Sequence, residues 1–169
     1  MRQFLFGLGL LFPLAAQAGP EERLAEAVQY PTISHQDESL LDKAAFAGMK
    51  QYLVDTYPRV FEELEVEWIN EYSPLLIWRG SEPSSGTILF TAHTDVVPIE
   101  PGTEGDWDHP PFSGVIVDGR VYGRGTLDDK VGVISLLEAV GFLLPELSRP
   151  ARRQFLHRDR RPGQSSYAV

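Results

Sequence analysis

No cysteine occurs in the 169 residues. Neither a disulfide framework nor a thiolate metal centre is available, so a transition metal would have to use histidine and carboxylate ligands. The absence is compatible with an oxidising compartment. Positive charge is scarce, at 15 Lys and Arg against 24 Asp and Glu, for a net charge of −9. It is also unevenly placed: residues 149–169 hold six of those basic side chains and a single acid, Asp159, leaving the preceding body strongly acidic. Phosphate binding needs a basic face, so nucleic acid is set aside as the main partner. Beyond residue 18 no apolar run is long enough to span a bilayer, and no internal repeat occurs. What remains is a chain with 43% hydrophobic residues, enough for one ordinary domain and too short for an elaborate two-domain hydrolase.

At the N terminus Arg2 precedes an apolar stretch from Phe4 to Ala16, and Ala16-Gln17-Ala18 has the small-x-small form of a signal-peptidase site. Residues 1–18 are therefore predicted to be a signal peptide, with export to a periplasmic or secreted destination and no membrane span after cleavage. A buried N-terminal helix or an anchor is the alternative, but the stretch is short for a span and Pro13 interrupts it.

Residues 19–150 are read as one α/β layered domain, with a mostly parallel sheet flanked by helices. Pro20 to Tyr30 predicts a short amphipathic helix, with Glu21 and Glu22 suiting its positive end. A longer helix is predicted up to about Tyr57, with Leu41, Ala45, Met49, Tyr52 and Leu53 on one face, closed by Pro58. Leu64, Val66 and Trp68 alternate with glutamates, as in an edge strand, and Leu75 to Trp78 is a second strand. Thr87 to Ala92 is apolar without alternation, the pattern of a central strand covered on both faces. Asp118-Gly119 between Val115-Ile116-Val117 and Arg120-Val121-Tyr122 predicts a hairpin. Lys130 to about Leu144 predicts a buried helix, which would expose apolar surface and lower solubility if no further strands covered it. Residues 151–169 are arginine-rich and aperiodic, and are predicted to be disordered.

Two runs carry chemistry. In a parallel α/β sheet, sites form beyond the carboxyl ends of strands, where His93 and Asp95 fall; two apart in extended chain, they project to one side. The alternative is structural, with Asp95 bonding backbone groups before Pro98. Gly123 and Gly125 permit backbone conformations and close approaches that a Cβ would obstruct. Asp128 and Asp129 follow them at the head of the apolar helix, where two neighbouring carboxylates need a cation, a proton or a helix N-terminus between them. The alternative is that they only complement the helix dipole. His35 and His109 are read as surface residues, and Trp107 and Phe112 as packing.

Three segments together resemble a known family: Ala92-His93-Thr94-Asp95-Val96-Val97-Pro98, Trp107 with Pro111-Phe112-Ser113-Gly114, and Gly123-Arg124-Gly125-Thr126-Leu127-Asp128-Asp129-Lys130. They follow the order found in the di-zinc metallopeptidases that include carboxypeptidase S, N-acyl-amino-acid hydrolases, aminoacylase and succinyl-diaminopimelate desuccinylase. The likeness runs from about Pro20 to Arg152 and is nearest the carboxypeptidase S branch. It implies that His93 is a ligand of one zinc, that Asp128 bridges two, that Asp95 is the catalytic acid supporting the site beside His93, and that a cis peptide follows Asp128. It further implies amide hydrolysis by metal-activated water, with small peptides or N-acyl amino acids as substrates.

The same resemblance expects a Glu-Glu or Glu-Asp pair after the next strand, a further Asp and a late His. Between Arg152 and Val169 there is no Glu, and His157 is read as solvated. The chain thus reads as an incomplete catalytic domain, able to hold at most part of a two-zinc site. A one-nucleotide frame shift near Arg153 would account for the tail, since Asp159-Arg160-Arg161-Pro162-Gly163 can be encoded so that the next frame reads Thr-Glu-Asp-Leu-Gly. The rival expectations are a non-catalytic truncated homologue and an acidic binding module that uses no metal.

Overall fold

Helix α1 (Pro20–Val28) starts on a proline whose fixed φ suits the first turn, with Glu21 and Glu22 at the positive end of the helix dipole. Its inner face buries Leu24, Ala25, Ala27 and Val28. In the computed structural model, the described residues are 18–145 and the backbone of Arg153–His157. Residues 1–17 of the predicted leader and most of the arginine-rich tail lie outside them.

Helix α2 (Lys43–Thr56) is capped by Asp42, whose carboxylate accepts from the amides of Ala44 at 3.0 Å and Ala45 at 3.1 Å. Ala45, Phe46, Met49, Tyr52 and Leu53 recur at helical spacing and are buried. The chain does not leave helical structure at Pro58. Tyr57 breaks the regular dihedrals at φ −123° and ψ 50°, and Pro58 opens a further helix, α3 (Pro58–Glu63). Proline ends a helix from within but begins one comfortably, and here the second use applies.

Strand β1 (Glu65–Ile69) pairs antiparallel with β2 (Ser73–Trp78), placing Glu65 opposite Ile77 and Trp68 opposite Pro74. The predicted alternation in β1 appears as one wet face on an edge strand, whereas β2 is buried on both faces. After β3 (Thr87–Thr91) come the hairpin strands β4 (Ile116–Val117) and β5 (Arg120–Val121). They are joined through Asp118 at φ 49° and Gly119 at φ 73°, both left-handed as a two-residue primed turn requires. Helix α4 (Val131–Leu143) buries Val133, Ile134, Leu137 and Val140 against the other helices.

Three expectations about the sheet need correcting. Arg153–His157 is not without structure: it forms β6, antiparallel to β2 and parallel to β3. A strand lying between two others is determined by backbone pairing, so the arginines that flank it were a poor guide. The order β1-β2-β6-β3 leaves β3 at the edge of the described sheet, not at its centre. Leu89 and Phe90 are accordingly exposed, as is Phe142 on the outer side of α4. Finally, of the three pairings in this sheet only β3 with β6 is parallel, so the layered α/β arrangement is built on a mixed sheet. Among the described residues no helix is long and apolar enough to cross a membrane.

Candidate metal centre

His93 sits two residues beyond the end of β3, in a loop whose side chains turn inward: Thr94 is fully buried and Asp95 nearly so. The imidazole Nδ1 lies 3.0 Å from the backbone carbonyl oxygen of Asp95 and 3.4 Å from its carboxylate Oδ1. The nearer partner, a carbonyl, can only accept, so Nδ1 carries the proton and donates it there. In the neutral ring that assignment leaves Nε2 as the lone-pair nitrogen. Asp95 therefore steadies His93 chiefly through its main chain, with the carboxylate as the more distant neighbour.

Nε2 points to Asp128. Its distance to Asp128 Oδ1 is 2.9 Å, across 35 positions of sequence. The two partners are unequally placed, because the His93 side chain is 14% exposed and that of Asp128 is 83% exposed. The imidazole is fixed in the wall, and the carboxylate is presented to the open cleft.

The second turn follows from its glycines. Gly125 has φ +82°, and a Cβ there would lie 2.3 Å from Val96 Cγ1, so this turn and the His93 loop can approach only where no side chain intervenes. The Asp128–Asp129 peptide is cis, as the resemblance implied. Asp129 faces the other way: its Oδ1 accepts from the Gly132 amide at 3.2 Å, in the first turn of α4. For Asp129 the helix-complementing alternative describes the geometry; for Asp128 it does not.

His93, Asp95 and Asp128 line one open cleft of about 620 Å³, together with Trp107, Arg124 and Leu127. Trp107 is a platform for Arg124, whose guanidinium carbon lies 5.0 Å from the ring centre. His109 is not a free surface residue but packs edge-on against Tyr122 at 4.7 Å.

The residues present fit a divalent cation. A lone pair on Nε2 facing a carboxylate oxygen at 2.9 Å is repulsive unless a proton or a cation lies with them. Zinc bonds of about 2.0–2.2 Å to nitrogen and oxygen hold two ligands of one ion roughly 3 Å apart. Among the described residues no group of three or more His, Asp or Glu side chains is placed to hold an ion, so these two would be a partial ligand set.

Two contributors were not foreseen. Lys130 is fully buried, and its ammonium donates to the carbonyls of Ala27 at 2.8 Å and Tyr30 at 2.6 Å. A lysine opening an apolar helix opposes the helix dipole, and that mismatch was the available signal. Thr32, also fully buried, donates its hydroxyl to the Thr94 carbonyl. Nothing in its local sequence marks it.

A family model described as peptidase family M20/M25/M40 matches residues 89–155. The N-fatty-acyl-amino acid synthase/hydrolase of Homo sapiens is 40% identical over 138 residues, which is 80% of this chain and 27% of that protein. A probable carboxypeptidase S-like protein of Dictyostelium discoideum is 38% identical over 133 residues, covering 78% of this chain and 25% of its own length. Among solved structures, human carnosine dipeptidase 1 superposes with a TM-score of 0.63 at 25% identity, over 83% of this chain and 32% of that one. An M20 family metallo-carboxypeptidase from Sulfolobus solfataricus gives the same TM-score at 22% identity, over 84% and 30%, a likeness of fold. The chain spans about a quarter of the length of the curated relatives it matches.

Proposed function

We propose that this chain, which matches the model of peptidase family M20/M25/M40 over residues 89–155, is the N-terminal part of a zinc-dependent hydrolase of that family acting on the amide bond of small peptides or N-acyl amino acids. The observation that carries this reading is the meeting of His93 Nε2 and Asp128 Oδ1 at 2.9 Å on the wall of a cleft. Imidazole and carboxylate are the donor set that suits zinc in a chain without cysteine. In this reading His93 and Asp128 would hold the metal, with Asp128 in the place of the family's shared carboxylate, and Asp95 would be the positioning residue whose carbonyl accepts from Nδ1. When bound, zinc lowers the pKa of a coordinated water and polarises the substrate carbonyl. The chain's own part is to aim Nε2 toward the cleft and to offer an exposed carboxylate beside it.

The substrate class comes from what the relatives' names state, an N-fatty-acyl-amino acid for one and a carboxypeptidase activity for another. Exposed Leu127 and Val97 flank the cleft and offer apolar surface to an acyl or side chain. The first 18 residues are proposed to direct export. N-terminal sequencing of the mature protein should begin at Gly19; a retained Met1 would remove that part of the reading.

A second reading has its own support. His93 and Asp128 would supply two ligands, and among the described residues no group of three or more such side chains is placed to hold an ion, so a non-catalytic partial homologue also fits. Metal analysis and turnover separate the two. Two zincs per chain with release of free amino acid from an N-acyl amino acid support the enzyme, and His93→Ala should lower zinc affinity at least 100-fold. Less than one zinc per chain with no turnover supports the remnant. Zinc affinity unchanged in both His93→Ala and Asp128→Asn would remove the metal centre altogether.

A further inference from the structure

The two ligand loops are each tied to a third segment. After α1 the chain runs from Tyr30 to Ser34, and it is bonded on two sides. Toward the His93 loop, the Val96 amide donates to the Thr32 carbonyl at 2.9 Å and the Ser34 amide donates to the Val96 carbonyl at 2.9 Å, closing a parallel bridge between Ile33 and Val96. The Thr32 hydroxyl adds a bond to the Thr94 carbonyl. Toward the Asp128 turn, the Lys130 ammonium donates to the carbonyls of Ala27 and Tyr30.

We propose that residues 27–34 form a brace that sets the separation between His93 and Asp128, with Thr32 and Lys130 as its positioning residues. The proposal rests on the metal reading above for what that separation is used for. The brace itself is a property of the folded chain.

The chemistry favours fixed contacts on both sides. Lys130 has no exposure, and a buried ammonium is tolerated only when its donors are taken up. Two of its three donors meet carbonyls at the C-terminal end of α1, where the helix dipole is negative. An apolar side chain of similar length would fill the space but leave each carbonyl with backbone donors only, the Tyr30 amide at 3.4 Å for Ala27 and the Thr32 amide at 2.8 Å for Tyr30. Thr32 is equally enclosed. Between the loops, a Cβ on Gly125 would lie 2.3 Å from Val96 Cγ1 and 3.6 Å from Lys130 Cδ, so displacement of one loop is felt by the other.

The test uses the full chain with Lys130→Met, Thr32→Val and Thr32→Ser. Lys130→Met should speed hydrogen exchange at the Val96 amide at least tenfold, although that amide bonds to Thr32. Thr32→Val should do the same at the Lys130 amide, which bonds to the Gly125 carbonyl. Both substitutions should weaken Co2+ binding about 10- to 100-fold, the usual consequence of losing a group that supports a ligand. Thr32→Ser, which keeps the hydroxyl, should restore both readouts. A purely structural role would lower Tm while leaving the Co2+ affinity of the folded chain and the exchange of the opposite loop within twofold of the parent, and that result would overturn the brace. If Lys130→Met does not fold, Thr32→Val decides by the same two measurements. If the parent chain takes up no Co2+, the metal reading fails alone, and the exchange coupling still decides the brace.

Discussion

Lys130 and Lys50 both donate to backbone carbonyls, yet they belong to different physical regimes. Lys130 is enclosed where α1 meets the two ligand loops, and its contact with the Ala27 carbonyl is buried as well. Lys50 reaches the Glu71 carbonyl at 2.9 Å across an exposed surface, over the ring of Trp68, where water could replace either contact. The contrast between junction and rim recurs in other residue types. Gly125 and Gly119 both have positive φ, but a Cβ on the first would strike Val96 while one on the second would meet nothing within 4 Å. The pair Arg23–Glu138 is largely covered, and Arg59–Glu63 stands in solvent. Residue type does not set the cost of a change; what can replace the lost contact does.

The largest separation is expected at the glycines. Gly119→Ala adds only left-handed backbone strain, about 1 kcal/mol. Gly125→Ala adds the same strain and a 2.3 Å contact with Val96 Cγ1 in a packed junction, so its cost should be about 3 kcal/mol. Urea unfolding of both variants measures the difference. Equal losses would mean that the junction yields as easily as the hairpin turn.

The next effect is in pH. Burial raises the Tyr52 phenol to about 12, and its hydroxyl donates to the Arg23 carbonyl at 2.7 Å. Tyr57 is raised as well, by burial first and then by its bond to Glu138. A group whose folded pKa is raised contributes stability that is complete below its unfolded value, about 10 for tyrosine, and is lost as pH climbs through the folded value. Stability should therefore be flat up to pH 10 and fall by roughly 2 kcal/mol on Tyr52's account by pH 12. Thermal melts from pH 8 to pH 12 should show a shallower decline in Tyr52→Phe than in the parent. An identical decline would place the alkaline weakness outside the helix junction.

The parts of the fold legible from sequence were those whose residues interact locally. Apolar spacing marks α1, α2 and α4, the Asp-Gly pair marks the hairpin, and alternation with glutamates marks β1. The juxtaposition of His93 and Asp128 was legible for another reason: neither run required it alone, and it followed from the resemblance of the two motifs, taken together, to the di-zinc metallopeptidases. What stayed hidden depended on partners distant in sequence. Pro58 can close one helix or open the next, and only the packing of Val60 against the core decides. β6 exists through its neighbours, and β3 reads the same at an edge as in a centre. Lys130 resembles any solvated lysine until α1 is placed beneath it.

The smallest predicted effect tests the contrast between two arginine–glutamate pairs of the same charge. Glu138 accepts from Arg23 Nη1 at 2.5 Å and from the Tyr57 hydroxyl at 2.8 Å, with the two charged side chains 21% and 26% exposed. Glu63 accepts from Arg59 one helical turn earlier, with exposures of 58% and 43%. An exposed pair of this spacing contributes about 0.3 kcal/mol, at the low end because the arginine precedes the glutamate and so opposes the helix dipole. Glu138→Gln removes a charge but keeps an acceptor, so it should cost about 1 kcal/mol, against about 0.3 for Glu63→Gln. Raising salt should weaken the exposed pair more than the covered one and so should not close the gap, since partly covered charges are screened less than exposed ones. If both variants cost the same at low salt, the covered pair gains nothing from its enclosure, and the junction would owe its rigidity to backbone approach alone.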